Sequence, residues 1–322
     1  MSLYQAVRPT RLEEIVGNAS TIGALSKMLR KPANEQPHAI LLKGPSGCGK
    51  TTVARILATA FGSNRDSTFG LDAANTRGID TIREIGSTAS FRGLGGTTKT
   101  YIIDESHSLT NDAQQALLKI LEDNPSYCYY ILCTTDPSRV IETVRNRCAE
   151  YEVTLLSEKE IVEVLKRACK EKKLEIHKDI IEAIALICAG SPRAALVSLE
   201  QVSDITGVDE ALEILVRGTE KDASVLDLLK LLIMAPEQRE KKWKQIIEKF
   251  SLIDEEPEKV RRSILTFLFN KLKKQTDVKD ARDIVHLLEI FSVSVYYGGK
   301  AQLGSLVARS CFETWKDEKE RG

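Results

Sequence analysis

A glycine-rich run, GPSGCGKT, constrains this chain more than any other feature of its sequence. It extends from Gly44 to Thr51 and fits the phosphate-binding pattern G-x-x-x-x-G-K-[ST]. The glycines of such a run let successive backbone N–H groups point into one concave nest that holds a polyphosphate. An apolar run typical of a buried strand, residues 38–43, precedes it, and helical spacing continues after it to Phe61. The phosphates would therefore lie at a helix N-terminus.

Two side chains of this run have separate tasks. We expect Lys50 to place a point charge at the β- and γ-phosphates of a nucleotide, and Thr51 to offer its hydroxyl to Mg²⁺. The other expected contacts to the bound phosphates come from the rest of the run and the residue after it. These are Gly44, Pro45, Ser46, Gly47, Cys48, Gly49 and Thr52.

A second predicted strand, residues 100–103, ends in two acids. Asp104 can support the metal ion opposite Thr51, and Glu105 can polarise an attacking water, which is the division of labour that phosphoryl transfer requires. A strand followed by an acidic turn is common, but a place in the same sheet as the phosphate loop favours the functional interpretation. Thr135 ends a further strand and could orient water or the γ-phosphate, although a threonine at a strand end is ordinary.

Two arginines lie where they could reach phosphates. Arg147 follows the strand that ends at Thr135 and could reach a neighbouring chain's nucleotide, whereas a surface salt bridge is the plainer alternative. Arg193 opens a predicted helix, from which it could fold over the phosphates of its own chain.

Length and charge limit what the chain can be. At 322 residues it exceeds one ordinary core, so two or three domains are expected. Its 46 basic and 46 acidic residues give a net charge of zero, whereas a stand-alone nucleic-acid-binding protein usually carries a basic excess. Any DNA contact must therefore come from a locally basic face or from an assembly.

The cysteines and the apolar stretches indicate a cytoplasmic protein. Seven cysteines are scattered with no C-x-x-C pair, so a zinc site and a disulfide framework are both disfavoured. The first residues lack the apolar core of a signal peptide. No apolar stretch approaches the ~20 residues that span a bilayer, so we expect no membrane partner.

Strand-like and helix-like segments alternate up to about residue 154. This alternation predicts an α/β fold with a parallel sheet and helices on both faces. The predicted strands are 40–42, 67–71, 100–103 and 129–133, and the predicted helices are 53–61, 79–90 and 112–122. Residues 92–97 between them form a glycine-rich loop that we expect to be flexible.

From residue 155 onward the pattern predicts helices alone. Ser157 and Glu160 form a capping box at the start of the first predicted helix, and Pro192 suits the first turn of the third predicted helix. The three predicted helices of this small unit are 158–172, 177–189 and 192–205. Five more are expected after residue 218, at 223–234, 236–250, 257–275, 278–297 and 301–315.

The ordered motifs resemble the AAA+ ATPases of the sliding-clamp-loader group. YQAVRP at 4–9 and EIVGN at 14–18 are similar to that group's adenine-side box. DESH at 104–107, TTDP at 134–137 and GSPRAAL at 190–196 resemble the bacterial tau/gamma ATPase subunit. LDAANTRGID at 71–80 resembles both that subunit and the small subunits of replication factor C. The resemblance covers about residues 4–205, and the later helices match only in length and character.

The resemblance implies a role for each matching position. Lys50 and Thr51 would bind phosphate and Mg²⁺, Asp104 would support the metal, and Glu105 would be the catalytic base. Thr135 would be the first sensor, Arg193 the second sensor, and Arg147 an arginine finger acting on the adjacent subunit's ATP. The remaining nucleotide contacts would come from Arg8, Pro9, Val16, Gly17 and Pro192. The implied domains are an AAA+ nucleotide-binding domain at 1–154, a helical lid at 155–218 and a helical collar for oligomerisation at 219–322.

The sequence departs from the family pattern in two places. The family's Ser-Arg-Cys is Asn146-Arg147-Cys148 here, which keeps the finger but alters the packing of its neighbour. The bacterial subunit has a cysteine-rich zinc module where this chain has only residues 63–69, without a cysteine. The chain is therefore compact, like archaeal, eukaryotic small-subunit or phage loaders, and the sequence does not choose among these sources.

The implied function is that of a clamp-loader ATPase subunit associated with the replisome or nucleoid. Its expected partners are a sliding clamp, primer–template DNA and other loader subunits in a ring, with five subunits in the family. Candidate DNA contacts, each with a solvated-surface alternative, are Arg77, Arg83, Arg92, Lys99 and Asn111. The clamp-gripping surface is expected at residues 87–96, with Phe91 and Leu94 as apolar anchors unless they simply pack at a helix end.

Two other functions remain as alternatives. A structural loader subunit that does not hydrolyse ATP typically has a damaged phosphate loop, whereas Lys50, Asp104 and Glu105 are all present here. Another AAA+ DNA motor, such as a branch-migration helicase, would call for a basic winged-helix domain near the C-terminus. Residues 219–322 show long helices and little strand signal, which disfavours that alternative.

Overall fold

One parallel sheet of five strands organises the first half of the chain in the computed structural model. The structure describes residues 2–91, 98–188, 190–205, 207, 210–211, 214–215, 228, 230–232, 234, 236–254, 256–275, 277–293, 295 and 298–312. Within them the strands are β1 (Ala39–Lys43), β2 (Thr68–Asp72), β3 (Lys99–Asp104), β4 (Cys128–Thr134) and β5 (Ala149–Glu152). Their order across the sheet is β2-β3-β4-β1-β5, and all neighbours are parallel. The four predicted strands are thereby confirmed.

The fifth strand was not predicted. Its sequence, AEYE, carries little of the apolar signal that marks the other strands, and its residues are only partly buried. It pairs with β1 at the sheet edge, where Ile40 lies opposite Ala149. An edge strand needs less apolar sequence than a central one because one flank stays open to solvent.

Nine helices precede residue 203 in the described part of the chain. They are α1 (Leu3–Ala6), α2 (Ala19–Leu29), α3 (Lys50–Ala60), α4 (Ile79–Ala89), α5 (Asn111–Glu122), α6 (Glu142–Arg145), α7 (Glu158–Lys172), α8 (Lys178–Ile187) and α9 (Pro192–Val202). The capping box at the start of α7 is present, with Ser157 N donating to Glu160 Oε2 at 2.8 Å. The predicted helices of this region are confirmed to within a few residues at their ends, whereas α2 and the short helices α1 and α6 were not predicted.

Alternating side chains bury the sheet on both faces. Ile40 and Leu42 of β1 point into one apolar cluster, which also holds Leu57 of α3. Leu41, between them, points into a second cluster with Leu117 of α5. This period of two, with helices on either side, is the expected packing of a parallel sheet and confirms the predicted α/β class.

The C-terminal helices have a core of their own. They are α10 (Pro236–Lys241), α11 (Trp243–Ser251), α12 (Pro257–Lys274), α13 (Val278–Phe291) and α14 (Gly299–Phe312). The single helix predicted over 236–250 is divided at Lys242, where φ and ψ are −99° and 13°. The helix predicted to reach residue 297 ends at Phe291. Most of the predicted helix at 223–234 lies outside the described residues.

The chain divides into two compact units. One comprises residues 1–164 together with 190–194, and the other comprises 165–189 together with 195–322. The three-domain division stays a prediction, because one of its boundaries, after residue 218, lies outside the described residues. None of the described helices is long and apolar enough to cross a membrane.

A buried carboxylate on α12 joins this helix to the chain that follows α13. Glu258 accepts hydrogen bonds from Arg261 and Arg262 on α12 and from the backbone N–H of Val295 at 2.8 Å. Burial alone would raise the pKa of Glu258, but these donors outweigh it and lower the pKa from its usual 4.5 to about 2.

Replacing Glu258 with Gln should destabilise this core in a pH-dependent way. The folded-state pKa lies below the usual value, so ionised Glu258 stabilises the fold above pH 4.5. That contribution is lost as the pH falls toward about 2. We expect Glu258→Gln to lower the free energy of unfolding by about 3 kcal/mol at pH 7. Urea unfolding at pH 7, 5, 4 and 3 should show the difference from the unsubstituted protein shrinking below pH 4.5.

The control for this prediction is Glu240→Gln, which removes an exposed carboxylate in α10. It should change the free energy of unfolding by less than about 0.5 kcal/mol at every pH. A Glu258→Gln difference that stays constant with pH would contradict the assignment.

Candidate nucleotide-binding site

The glycine-rich run connects β1 to α3 in a backbone conformation that requires glycine. Gly44, Gly47 and Gly49 have φ of 152°, 73° and 111°. A Cβ on Gly44 would lie 1.9 Å from the carbonyl oxygen of Val153, and a Cβ on Gly47 would lie 2.3 Å from Ser191 Oγ. Neighbouring segments pack against this loop from two sides, so the loop is held in one shape before any ligand arrives.

Lys50 is the buried cation of the loop. It is 6% exposed and donates to the carbonyl oxygens of Gly44 and Pro45, both at 2.8 Å. These neutral acceptors fix the ammonium inside the curve of the loop. A phosphate oxygen there would be a stronger, charge-assisted acceptor.

Thr51 and Asp104 meet across the carboxyl edge of the sheet. Thr51 Oγ1 donates to Asp104 Oδ2 at 2.6 Å, joining the start of α3 to the last residue of β3. A hydroxyl and a carboxylate are oxygen donors of the type that Mg²⁺ prefers, and Mg²⁺ usually takes its remaining ligands from phosphate and water. The described residues contain no cluster of three or more His, Cys, Asp or Glu side chains able to hold a metal alone. The donor set therefore fits Mg²⁺ bound together with a nucleotide.

Glu105 lies beside this pair in a rare backbone conformation. Its φ is 51°, which non-glycine residues seldom adopt and which is concentrated at functional sites. Ser106 Oγ donates to the carbonyl of Cys133 at 3.1 Å and ties the turn to β4. Thr135 Oγ1 donates to Glu105 Oε2 at 3.3 Å. The structure thus brings the predicted base and the predicted first sensor together.

A histidine that the sequence analysis assigned no role also contacts Glu105. His107 Nδ1 lies 3.4 Å from Glu105 Oε2 and 3.2 Å from Thr134 Oγ1. The sequence feature that could have pointed to His107 is its position two residues after Glu105. Since a short 3₁₀ turn, Ser106–Ser108, follows Glu105, the ring folds back toward the carboxylate.

Two buried thiols lie near the loop. Burial raises the pKa of Cys48, and it raises the pKa of Cys133 well above the usual value. Both thiols therefore stay neutral at physiological pH and act as small apolar groups. Cys48 contributes its backbone to the phosphate loop and its side chain to the core.

The segment 190–194 places Arg193 next to the phosphate loop. Ser191 Oγ donates to the carbonyl of Gly47 at 3.2 Å, and Pro192 occupies the first position of α9 as expected. The Arg193 guanidinium lies 5.1 Å from the centroid of the Tyr4 ring, and Arg8 lies 5.8 Å from the same centroid. Two predicted nucleotide contacts, Arg8 and Arg193, are thus brought to one place.

Gly17 lies in a tight backbone position beside α7. Its φ is +74°, and a Cβ there would lie 2.5 Å from Leu156 Cδ2 and 2.8 Å from Glu160 Oε1. Only glycine fits this position without displacement. The adenine-lining role of Val16 and Gly17, and the contacts of Pro9 and Thr52 with a nucleotide, remain predictions.

Arg147 does not contact the phosphate loop of its own chain. Its guanidinium forms an ion pair with Glu122 at the end of α5, and both side chains are roughly half exposed. The surface salt bridge considered from the sequence is therefore present. An exposed arginine of this kind remains free to exchange partners, because surface ion pairs contribute little, about 0–1 kcal/mol.

The candidate DNA contacts fall into two groups. Lys99 is 8% exposed, and its ammonium donates to the carbonyls of Thr88 at 2.8 Å and Phe91 at 2.5 Å. The interpretation of Lys99 as a surface DNA contact is therefore wrong, because the side chain caps the C-terminus of α4. The candidate DNA contacts that are exposed are Arg77, Arg83 and Asn111. Arg92 and Leu94 lie outside the described residues.

Solved structures with a similar fold identify the class. The structure of a mutant of Thermotoga maritima RuvB aligns with a TM-score of 0.59 and 24% identity, over 71% of this chain and 80% of that one. At 24% identity, this similarity shows that the two chains share a fold. Together with the loop and the acids of β3, it defines an AAA+ P-loop protein.

Sequence relatives narrow the class to a family. A family model described as "DNA polymerase III, delta subunit" matches residues 62–157. The Methanococcus maripaludis replication factor C small subunit is 32% identical over 71% of this chain and 72% of its own length. The Bacillus subtilis DNA polymerase III subunit tau is 33% identical over 66% of this chain but only 42% of its own length. The chain belongs to the AAA+ clamp-loader subunit family, and it spans about two-fifths of the length of its tau relatives.

A methyl group on Gly44 should destabilise the nucleotide-binding unit. Gly44→Ala puts a Cβ 1.9 Å from a backbone oxygen at a φ that favours glycine, so the loop or the chain after β5 must move. We expect a loss of at least about 2 kcal/mol in the free energy of unfolding, measured by urea denaturation without nucleotide.

The matched control is Gly23→Ala in α2, where a Cβ would meet nothing within 4 Å. Alanine there should be neutral or stabilise by up to about 1 kcal/mol, because glycine is a poor helix former. Equal effects of the two substitutions would contradict the packing described for Gly44.

Proposed function

We propose that this chain is an ATPase subunit of a sliding-clamp loader, which binds and hydrolyses ATP to open a ring clamp and place it on primer–template DNA. One observation carries the proposal: the phosphate loop and the acids of β3 converge at one sheet edge, with Thr51 Oγ1 2.6 Å from Asp104 Oδ2. Membership of the clamp-loader family supplies the biological setting.

Phosphoryl transfer asks the protein mainly for positioning and charge stabilisation. The loop N–H groups and Lys50 would hold the β- and γ-phosphates of ATP at the N-terminus of α3. Thr51 and Asp104 would hold Mg²⁺, which when bound neutralises charge between the β- and γ-phosphates. Glu105 would accept a hydrogen bond from the attacking water and polarise it. Thr135 and His107, which contact the same carboxylate oxygen, would orient Glu105 for this task.

Hydrolysis would require a neighbouring subunit. Arg147 would leave Glu122 and approach the γ-phosphate held by the adjacent chain, where it stabilises charge in the transition state. The exchange is feasible because the Arg147–Glu122 pair is half exposed and the phosphate offers a higher charge. The helices after residue 219 would act as the collar of a ring, expected to contain five subunits.

The clamp would dock at the end of α4. Phe91 is 73% exposed, the highest value among the large apolar residues of the described chain. Its backbone is held firmly: Lys99 donates to the Phe91 carbonyl, and the Tyr127 hydroxyl donates to the carbonyls of Ala89 and Ser90, each at 3.1 Å. An apolar side chain on a rigid mount suits a partner's apolar pocket.

The alternatives fit less well. A non-hydrolysing structural subunit would not need Glu105 held in a strained turn by two neighbours. A branch-migration motor shares the fold, but that likeness has 24% identity and extends to the fold alone. Within the described residues from 236 to 312 the secondary structure is helical, with no strand of the kind that a winged helix requires.

ATP hydrolysis should depend on DNA, clamp and a finger supplied in trans. Steady-state phosphate release by the full chain should rise when primer–template DNA and the clamp of the same genome are added. Arg147→Ala should lower the stimulated kcat by about 10³-fold or more. Mixing Arg147→Ala with Lys50→Ala should restore part of the activity, because one variant binds ATP and the other supplies the finger.

The control is Arg139→Ala, which removes another exposed arginine of the same region and should keep full activity. Hydrolysis that ignores DNA and clamp and survives Arg147→Ala would overturn the loader proposal. Failure of the mixed variants to complement would contradict a finger supplied in trans.

Truncating the exposed aromatic anchor should weaken clamp binding. Phe91→Ala should raise the Kd for the clamp, measured by fluorescence anisotropy with ATP present, by about tenfold or more because a central apolar anchor is lost. Basal ATPase activity without clamp should not change. Leu252→Ala, which truncates a 61% exposed residue elsewhere, is the control and should leave the Kd unchanged; equal effects would refute the α4 surface.

A further inference from the structure

The ring of Tyr4 carries two guanidinium groups beside the phosphate loop. Arg193 Cζ lies 5.1 Å and Arg8 Cζ 5.8 Å from its centroid, within the range at which the negative face of an aromatic ring attracts a cation. The helix that carries Tyr4, α1, has only four residues and buries none of them. The Tyr4 ring is therefore not part of a hydrophobic core, and its face is available to the two arginines.

Positive charge is concentrated around Arg8. Burial lowers the pKa of Arg8 from its usual value, the charge of Arg55 lowers it further, Tyr4 opposes the shift, and Arg193 adds to it. Arg55 lies one helical turn after Thr51 on α3, so it follows directly from the phosphate end of that helix. The guanidinium groups of Arg8 and Arg193, held at one aromatic ring, repel each other unless an anion joins them.

Within the described part of the chain, no carboxylate pairs with this cluster. Among those residues, none of Arg8, Arg55 and Arg193 forms an ion pair with Asp or Glu. The Arg193 Cβ lies 3.8 Å from the position that a Cβ on Gly47 would take, and Ser191 Oγ donates to the Gly47 carbonyl. The start of the Arg193 side chain is thus anchored against the middle of the phosphate loop.

We propose that Tyr4 is a positioning residue that holds Arg8 and Arg193 ready for the phosphates of ATP. The inference rests on the proposed function, since it takes ATP as the anion. The ring face offsets part of the repulsion between the guanidinium groups and limits their rotamers. The arginine side chains then lose less conformational entropy when the anion binds, and this raises the affinity. Without the ring, the two arginines would spread into solvent.

Binding of ATP and of inorganic tripolyphosphate, each with Mg²⁺, tests the proposal by isothermal titration calorimetry on the full chain. Tyr4→Leu should raise both Kd values about five- to tenfold, because two cation–π contacts are lost. Tyr4→Phe keeps the ring face and should stay within about twofold of the unsubstituted protein. Arg65→Gln, an exposed arginine beyond the far end of α3, is the control for an unrelated surface substitution and should change neither Kd.

The outcomes separate positioning from packing and from the proposed function. Unchanged Kd values for Tyr4→Leu overturn the proposal, and so does a Tyr4→Phe variant as weak as Tyr4→Leu, since the ring face would then not be the cause. A Tyr4→Leu defect in ATP binding with intact tripolyphosphate binding also overturns it, because it would point to the adenine side. If the unsubstituted protein binds neither ligand, the proposed function itself fails.

Discussion

The hydrogen bond from Thr51 to Asp104 is the contact on which the site depends. It joins the start of α3, which follows β1, to the end of β3, and β1 and β3 do not pair because β4 runs between them. It can form only if all three strands are parallel and end at the same edge. Strand β4 is buried along its whole length and secures that register, with Leu41 opposite Leu132 and Ile102 opposite Ile131. The core therefore sets the geometry of the chemistry.

At Gly44, Gly47 and Glu105 the site requires positive φ angles that most residues disfavour. Val153 packs against Gly44 and Ser191 packs against Gly47, so packing as well as glycine enforces the shape of the loop. Glu105 adopts a φ of 51° because the turn after β3 is tied to β4 through Ser106. Pre-organisation of this kind costs stability locally and is supported by the surrounding sheet.

The buried charges of the C-terminal core and the arginines around Tyr4 differ in whether their partners lie within the chain. In the C-terminal core, Glu258 is buried with two arginines and a backbone donor, and each of these partners is internal. Around Tyr4 the arginines lack internal carboxylates in the described part of the chain. The first arrangement is complete within the chain and stabilises it, whereas the second is the one that we propose a bound anion completes.

The sequence alone determined the phosphate loop, the acids of β3, the four apolar strands and most of the helices, because each carries its signal within a short window. It missed β5, whose edge position relaxes the apolar pattern, and it assigned Lys99 to the surface, since charge alone cannot reveal that an ammonium caps the carbonyls of α4. The contacts of His107 and Tyr4 became visible only in the tertiary structure. Their partners, Glu105 and Thr134 for one and Arg8 and Arg193 for the other, come together through sheet register and chain reversal. Tertiary structure decided these contacts because they join segments that no local spacing relates.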